Sequence, residues 1–322
     1  MNPRSIEESP RASPSADVVI EARGLSKNFG AVRAVQSVSF KVRKGEVFGI
    51  FGPNGAGKST SIRMLCGLTP PSSGEATVAG YDVRQEPTEL RRQLSIVPEE
   101  FSFYEKMTPE GYLRFFSRMA GHTRETAEDR IARVAEVAEV SEFLRKRIAD
   151  LSHGQRQRVT LARAFLSEVP ILFMDEPFQG IDIVHRKALR EYIRGFVSQA
   201  NTVFFTSHNL IEAEHIVDRF AFIDKGTILK IGTARELRDQ YLLPSYAIRV
   251  SDPARAQKLI SEGLAVTECA VKADEVLVTL KDATDVPKIS ALLGSAGIDL
   301  LEMRSIGTME DVFLRMREGG NA

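Results

Sequence analysis

Residues 47–67 constrain the fold of this chain more than any other stretch. Residues 47–51 (Val-Phe-Gly-Ile-Phe) are apolar on both faces, and they run straight into Gly52-Pro-Asn-Gly-Ala-Gly-Lys-Ser59. Residues 59–66 then read as a helix, closed by Gly67 and the Pro70-Pro71 pair. A strand without a polar face belongs inside a parallel sheet. A G-x-x-x-x-G-K-S loop between such a strand and a helix makes a cradle for phosphate, because its backbone N–H groups and the positive helix end point at one spot. Glycines let the backbone come close. Gly52, Pro53, Asn54, Gly55, Ala56, Gly57, Lys58, Ser59 and the adjoining Thr60 are therefore candidate ligand residues. Lys58 is suited to the outer phosphates and the Ser59 hydroxyl to Mg²⁺.

A second apolar run, Ile171-Leu-Phe-Met-Asp175-Glu176, puts carboxylates at the C-terminal end of a strand, where ligands of open α/β sheets sit. Asp-Glu before a turn at Pro177 also arises simply because carboxylates solvate well. Paired with the phosphate loop, the same residues read as a Mg²⁺ carboxylate (Asp175, through water) and a general base for an attacking water (Glu176). Leu151-Ser-His-Gly-Gln155 precedes a helix whose apolar stripe is Val159, Ala162 and Leu166. Taken alone, Ser152 and Gly154 are a good helix cap.

Around these motifs the texture changes several times. Residues 18–51 are strand-like, 74–97 read as short strands around one helix, and about 99–149 form a mostly helical insert. Parallel-strand texture returns at 171–175 and 203–206, and a hairpin over 220–231 turns at Asp224-Lys225-Gly226. The main domain, 18–243, is expected to close near Leu243, with Pro244-Ser245 as a linker. Beyond it come strand 246–250, helix 253–261, strands 264–270 and 275–279, helix 285–295 and strand 298–305. That order predicts a small α+β ferredoxin-like domain over 244–322. Residues 1–17, proline-rich and without an apolar core, are expected to be a disordered tail rather than a secretory signal.

The 43 basic and 43 acidic residues cancel, so no overall field draws the chain onto nucleic acid, and no nucleic-acid partner is expected. Cys66 and Cys269 lack CxxC spacing, which suggests neither a disulfide framework nor a zinc site. No apolar stretch approaches the roughly 20 residues needed to cross a bilayer, so any membrane work requires a separate subunit.

The phosphate loop, LSHGQ, LFMDE and Thr206-Ser-His208, in this order and with these separations, resemble the ATP-binding cassette (ABC) ATPases. The resemblance covers about residues 18–243 and implies a P-loop NTPase: a RecA-like core with an antiparallel β subdomain and an α-helical subdomain. It further implies ATP and Mg²⁺ as ligands, hydrolysis, and a head-to-tail homodimer formed on ATP binding. In that dimer Ser152, Gly154 and Gln155 of the signature face the partner's γ-phosphate, and Asp182, in Gln179-Gly-Ile-Asp182, crosses the interface. His208 looks like the switch histidine on the γ-phosphate, and Phe29 like the aromatic that stacks on adenine.

Two departures stand out. Val97-Pro-Glu99 places an acidic group where the family usually has a glutamine, leaving Glu99 able to ligate Mg²⁺ beside Ser59 and Asp175. His153 replaces the first signature glycine, where it could reach the partner's γ-phosphate or simply face solvent. The tail, ending in Thr308-Met-Glu-Asp-Val-Phe-Leu, looks like the extension of drug and antibiotic-resistance exporters. The role implied is the ATPase subunit of an exporter, peripheral on the cytoplasmic face of the cell membrane and driving separate transmembrane permease subunits. The alternative is a soluble ATPase of the same superfamily in a non-transport machine such as DNA repair, ribosome or cofactor assembly.

Overall fold

The computed structural model describes residues 17–319; the tail expected at 1–17 lies, apart from Asp17, outside the described residues. Two compact units share the chain, one reaching to His208 and including Ile223–Ile228, the other made of Asn209–Phe222 and everything from Leu229 onward.

In the first unit, β1 (Val18–Phe29) and β2 (Val32–Arg43) form an antiparallel hairpin. The alternation in β2 buries Val35, Val38, Phe40 and Val42 and leaves their neighbours exposed. β3 (Val47–Phe51) follows and leads through the glycine-rich loop into α1 (Lys58–Leu65). β4 (Ser73–Val78) and β5 (Tyr81–Asp82) complete a four-stranded sheet in the order β2-β1-β4-β5. After α2 (Pro87–Arg91) comes β6 (Leu94–Val97), which opens the helical segment of α3 (Pro109–Met119) and α4 (Arg124–Val137). Both helices start on threonines whose side chains accept from backbone amides, Thr108 from Gly111 and Thr123 from Thr126. Apolar spacing in α4 buries Ala127, Ile131, Val134 and Ala135 on one face.

α5 (His153–Phe165) then leads into β7 (Ile171–Asp175), followed by α6 (Ile183–Ser198) and β8 (Thr202–Ser207). β3, β8, β7 and β6 pair in parallel, in that spatial order. Every residue of β3, β7 and β8 is buried, as expected for strands covered on both faces. Phe40 stacks on Phe48 at 5.5 Å, and Phe48 and Phe173 both meet Phe204, so one aromatic cluster joins the two sheets.

The second unit contains α7 (Leu210–Ala213), most of β9 (Arg219–Asp224), part of β10 (Thr227–Gly232), α8 (Ala234–Tyr241) and the C-terminal elements. The latter are β11 (Ser245–Val250), α9 (Pro253–Gly263), β12 (Val266–Lys272), β13 (Glu275–Leu280), α10 (Val286–Ser295), β14 (Leu300–Ser305) and α11 (Met309–Gly319). The sheet order β12-β13-β11-β14, antiparallel throughout, is the split βαβ arrangement predicted from the sequence. Ile248, Val276, Val278, Ile260, Ile289 and Leu293 fill its core.

Two details differ from the sequence reading. Pro244-Ser245 is not a free linker: the Pro244 carbonyl accepts from Leu280 N at 2.9 Å, and Ser245 already opens β11. The described residues also end in a helix, α11, that packs on the start of its own unit. Met309 N donates to Glu214 Oε1 at 2.6 Å, Arg238 holds the other Glu214 oxygen at 2.8 Å, and Phe313 stacks on Phe222.

Candidate functional site

The loop between β3 and α1 is held by its neighbours before any ligand arrives. Gly226 N donates to the Ala56 carbonyl at 3.0 Å, and Gln36 N to the Gly226 carbonyl at 2.8 Å. Gly57 has φ +104, and a Cβ there would come within 2.5 Å of the Ala34 carbonyl, so no other residue fits the turn into α1. Asn54 and Gly55 remain exposed while Gly52, Ala56, Gly57 and Lys58 are buried; Pro53, Ser59 and Thr60 are partly so.

Lys58 turns back on the loop. Its Nζ donates to the carbonyls of Gly52 at 2.9 Å and Pro53 at 3.3 Å and lies 3.4 Å from Glu176 Oε1. These are carbonyl and carboxylate oxygens, the same kind of acceptor that a phosphate would offer.

At the end of β7, the parallel register sets Asp175 beside Thr206. Thr206 Oγ1 donates to Asp175 Oδ1, and Ser59 Oγ donates to the same oxygen at 3.2 Å. Ser59 Oγ is also 3.5 Å from Glu99 Oε2. Burial pushes the Asp175 carboxyl above its ordinary range and Glu176 adds to this, while the bonds from Thr206 and Ser59 and the charge of Lys58 oppose it. A desolvated carboxylate of this kind favours a counter-cation. Ser59, Asp175 and Glu99 supply a hydroxyl and two carboxylates, all hard oxygen donors. Among the described residues no three His, Cys, Asp or Glu side chains cluster as a metal cage, so a cation here would draw on Ser59, Asp175 and Glu99 together with the ligand's own oxygens.

Glu176 follows in a left-handed conformation, φ 48°, with its amide donating to the Thr206 carbonyl at 3.0 Å. Ser207 Oγ at 2.9 Å and His208 N at 3.3 Å both donate to Oε2. The other oxygen, Oε1, is buried without an aligned hydrogen bond, although Lys58 Nζ and His208 Nδ1 (2.9 Å) flank it. The half-exposed His208 and the buried Glu176 thus share one point with Lys58.

The remaining candidates sit elsewhere. Phe29, 52% exposed at the end of β1, lies under Lys27 Nζ, 5.1 Å from its ring centroid. Ser152 and Gln155 form a reciprocal capping box at the start of α5: Ser152 Oγ accepts from Gln155 N at 3.2 Å, and Gln155 Oε1 from Ser152 N at 3.0 Å. Among the described residues, no hydrogen bond ties either to the loop at 52–59. Gly154 packs against the Gly180 carbonyl, and Asp182 bonds His185 Nδ1 at 2.6 Å, whose other nitrogen is 3.1 Å from Glu139.

The sequence reading missed Thr206 and Ser207 as supports. Their signal was present, since two hydroxyl residues immediately precede His208 at the end of a strand that pairs with β7. It also missed that Lys58 and Glu176 meet, because nothing local to either residue reports a partner more than 100 positions away. A cleft of about 570 Å³ in the first unit is lined by residues such as Arg130, Phe165, Tyr192 and Asn201 and by none of the loop residues.

The sequence model of the ABC transporter family matches residues 35–179. The linearmycin resistance ATP-binding protein of Bacillus subtilis is 36% identical over 219 residues, 68% of this chain and 70% of that protein. The daunorubicin/doxorubicin resistance ATP-binding protein of Streptomyces peucetius is 33% identical over 305 residues, 92% of each chain, so this similarity runs through the C-terminal elements as well. A solved structure described as the ATP-binding subunit of an ABC transporter matches with a TM-score of 0.65 at 31% identity, over 69% of this chain and 93% of that one.

Proposed function

Because the chain belongs to the ABC transporter family of ATP-binding proteins, we propose that it powers a drug or antibiotic exporter through separate transmembrane permease subunits, held peripherally at the cytoplasmic face of the membrane. Its enzyme activity is ATP hydrolysis. No described helix is long and apolar enough to cross a membrane, which agrees with a division of labour between subunits. The resistance names of the relatives do not favour the non-transport alternative.

The observation that carries the chemistry is Glu176 Oε1, buried with no aligned donor and 3.4 Å from Lys58 Nζ. Incoming β- and γ-phosphates exchange for the carbonyls that hold Lys58, drawing its ammonium away from Glu176. Glu176, fixed by Ser207 and the His208 amide, is then free to orient and deprotonate a water aimed at the γ-phosphorus. Ser59, Asp175 and Glu99 would hold Mg²⁺, which would supply positive charge against the phosphates. Phe29 stacks on adenine, and His208 contacts the γ-phosphate.

Two copies close head to tail, so that Ser152, Gly154 and Gln155 of one cover the nucleotide on the loop of the other, with Asp182 at the interface. Residues 18–243 carry this work and 244–322 serve as an accessory module. Co-purification from detergent extracts tests the transport reading: a polytopic membrane protein in stable ratio supports it, and ribosomes or nucleic acid in its place would sink it.

A further inference from the structure

His153, an exposed residue, stands where the ABC signature usually has glycine, and its ring lies against Phe101 and Gly180. One face stacks on Phe101, with centroids 5.6 Å apart and an interplanar angle of 29°. On another side is Gly180, where an added Cβ would fall 2.5 Å from His153 Cδ2 and 3.0 Å from Nε2. Gly180 also has φ +72, a conformation that strains a side chain, and an added Cβ would require the His153 ring to shift. The next residue in the signature repeats the contact, since a Cβ on Gly154 would lie 2.7 Å from the Gly180 carbonyl. The imidazole therefore lies between Phe101, two residues beyond Glu99, and the turn that leads to Asp182.

Phe101 is itself the first of a run of rings. It meets Phe103 at 5.1 Å, Phe103 meets Tyr112 of α3 at 5.1 Å, and Tyr112 meets Phe116 at 4.8 Å. Phe115 and Tyr104 extend the run to the surface, where they are 40% and 60% exposed. The Arg163 guanidinium lies 5.2 Å over Phe116 and donates to the Ile96 carbonyl in β6, tying the run to the strand that precedes Glu99.

We propose that His153 is a positioning residue: stacked on Phe101 and set against Gly180, it fixes the signature turn 152–155 relative to the segment around Glu99. It acts by shape rather than by contact with phosphate, so a flat ring is what the position requires. The inference deepens the dimer reading above and rests on it for its functional consequence. The stack itself is a property of the single chain and is testable without a dimer.

The first measurement uses the nucleotide-free full chain and amide hydrogen exchange. His153→Ala should speed exchange at 101–104, and Phe101→Ala should speed it at 152–156, each by roughly two- to tenfold, the range that a single ring pair supports. Loosening confined to the mutated segment overturns the proposal.

The second measurement is ATP-driven dimerisation in the Glu176→Gln background. His153→Ala and Phe101→Ala should each weaken it by a similar factor, and the double substitution should be no worse than either alone. His153→Phe and Phe101→Tyr should restore it, while nucleotide affinity at dilutions that keep the chain monomeric stays the same throughout. If His153→Phe is as damaging as His153→Ala, the imidazole nitrogens matter and the positioning role falls. If the Glu176→Gln parent does not dimerise at all, the dimer reading fails, and the exchange result still decides the stack.

Discussion

In the first unit Lys58, Asp175 and Glu176 are 6%, 5% and 4% exposed, and they contact one another, hydroxyls, backbone groups and the His208 ring. In the second, the ion pairs of the antiparallel sheet lie at the surface, Arg304 with Glu275 at 2.8 Å and Arg249 with Glu302 at 3.3 Å, over an interior of aliphatic side chains. Burying charge costs several kcal/mol per ion unless partners compensate it, and replacing such groups with apolar ones often stabilises a protein. The first unit bears that cost where phosphate chemistry needs charged groups in a dry setting, whereas the second keeps the ion pairs of its sheet in solvent and buries the Arg238–Glu214 pair only in part. The contrast separates a part organised for reaction from a part organised for packing.

Substitutions can break or sharpen this contrast. The largest effect is expected at Glu176→Gln, which keeps shape and hydrogen-bonding reach but cannot take a proton, so phosphate release should fall by ~10²-fold or more. ATP binding should survive, and a sizing column should show a shift to dimer on adding ATP. Hydrolysis near the parent rate would remove the reason given for burying that carboxylate.

Next comes the packing side. Ile248→Ala deletes a fully buried side chain of the module and should cost about 2–5 kcal/mol in the second unit's stability. Nucleotide affinity at the loop should not follow. Thermal or denaturant unfolding read beside nucleotide titration checks this, and a parallel loss of both would mean the two units do not divide the work.

A smaller change is expected at Ser207→Ala, which removes one of two donors to Glu176 Oε2. A hydrogen bond to a charged group contributes about 1.5–3 kcal/mol, so kcat should drop roughly tenfold or somewhat more with KM for ATP little altered. A rise in KM alone would place Ser207 in binding rather than in holding the base. The smallest effect belongs to Arg304→Ala: an exposed pair contributes about 0–1 kcal/mol, and the melting temperature should barely move.

How much could be read from the chain alone follows the same division. The β3-loop-α1 unit was legible because phosphate binding demands glycines and a lysine at fixed spacing between two regular elements. The ferredoxin-like order was legible from the alternation of short strands and helices. The sequence reading gives no element to residues 309–319, although Met309, Val312, Phe313 and Met316 carry helical spacing. What that stripe covers is fixed only by the fold. The same holds for His153 on Phe101 and for Lys58 beside Glu176, where residues 52 and 118 positions apart meet because strands and helices bring them together.

The return of α11 to Glu214 and Phe222 closes the second unit into a ring of contacts. A protease that nicked the exposed turn at Asp282-Ala283-Thr284 would leave two fragments, each still packed on the other through the shared sheet and the α11 clasp. Cleavage there should go unnoticed under native conditions and appear only on a denaturing gel. The nicked protein should part on denaturation, and recovery after dilution would then depend on protein concentration, since an intramolecular closure has become an encounter of two chains.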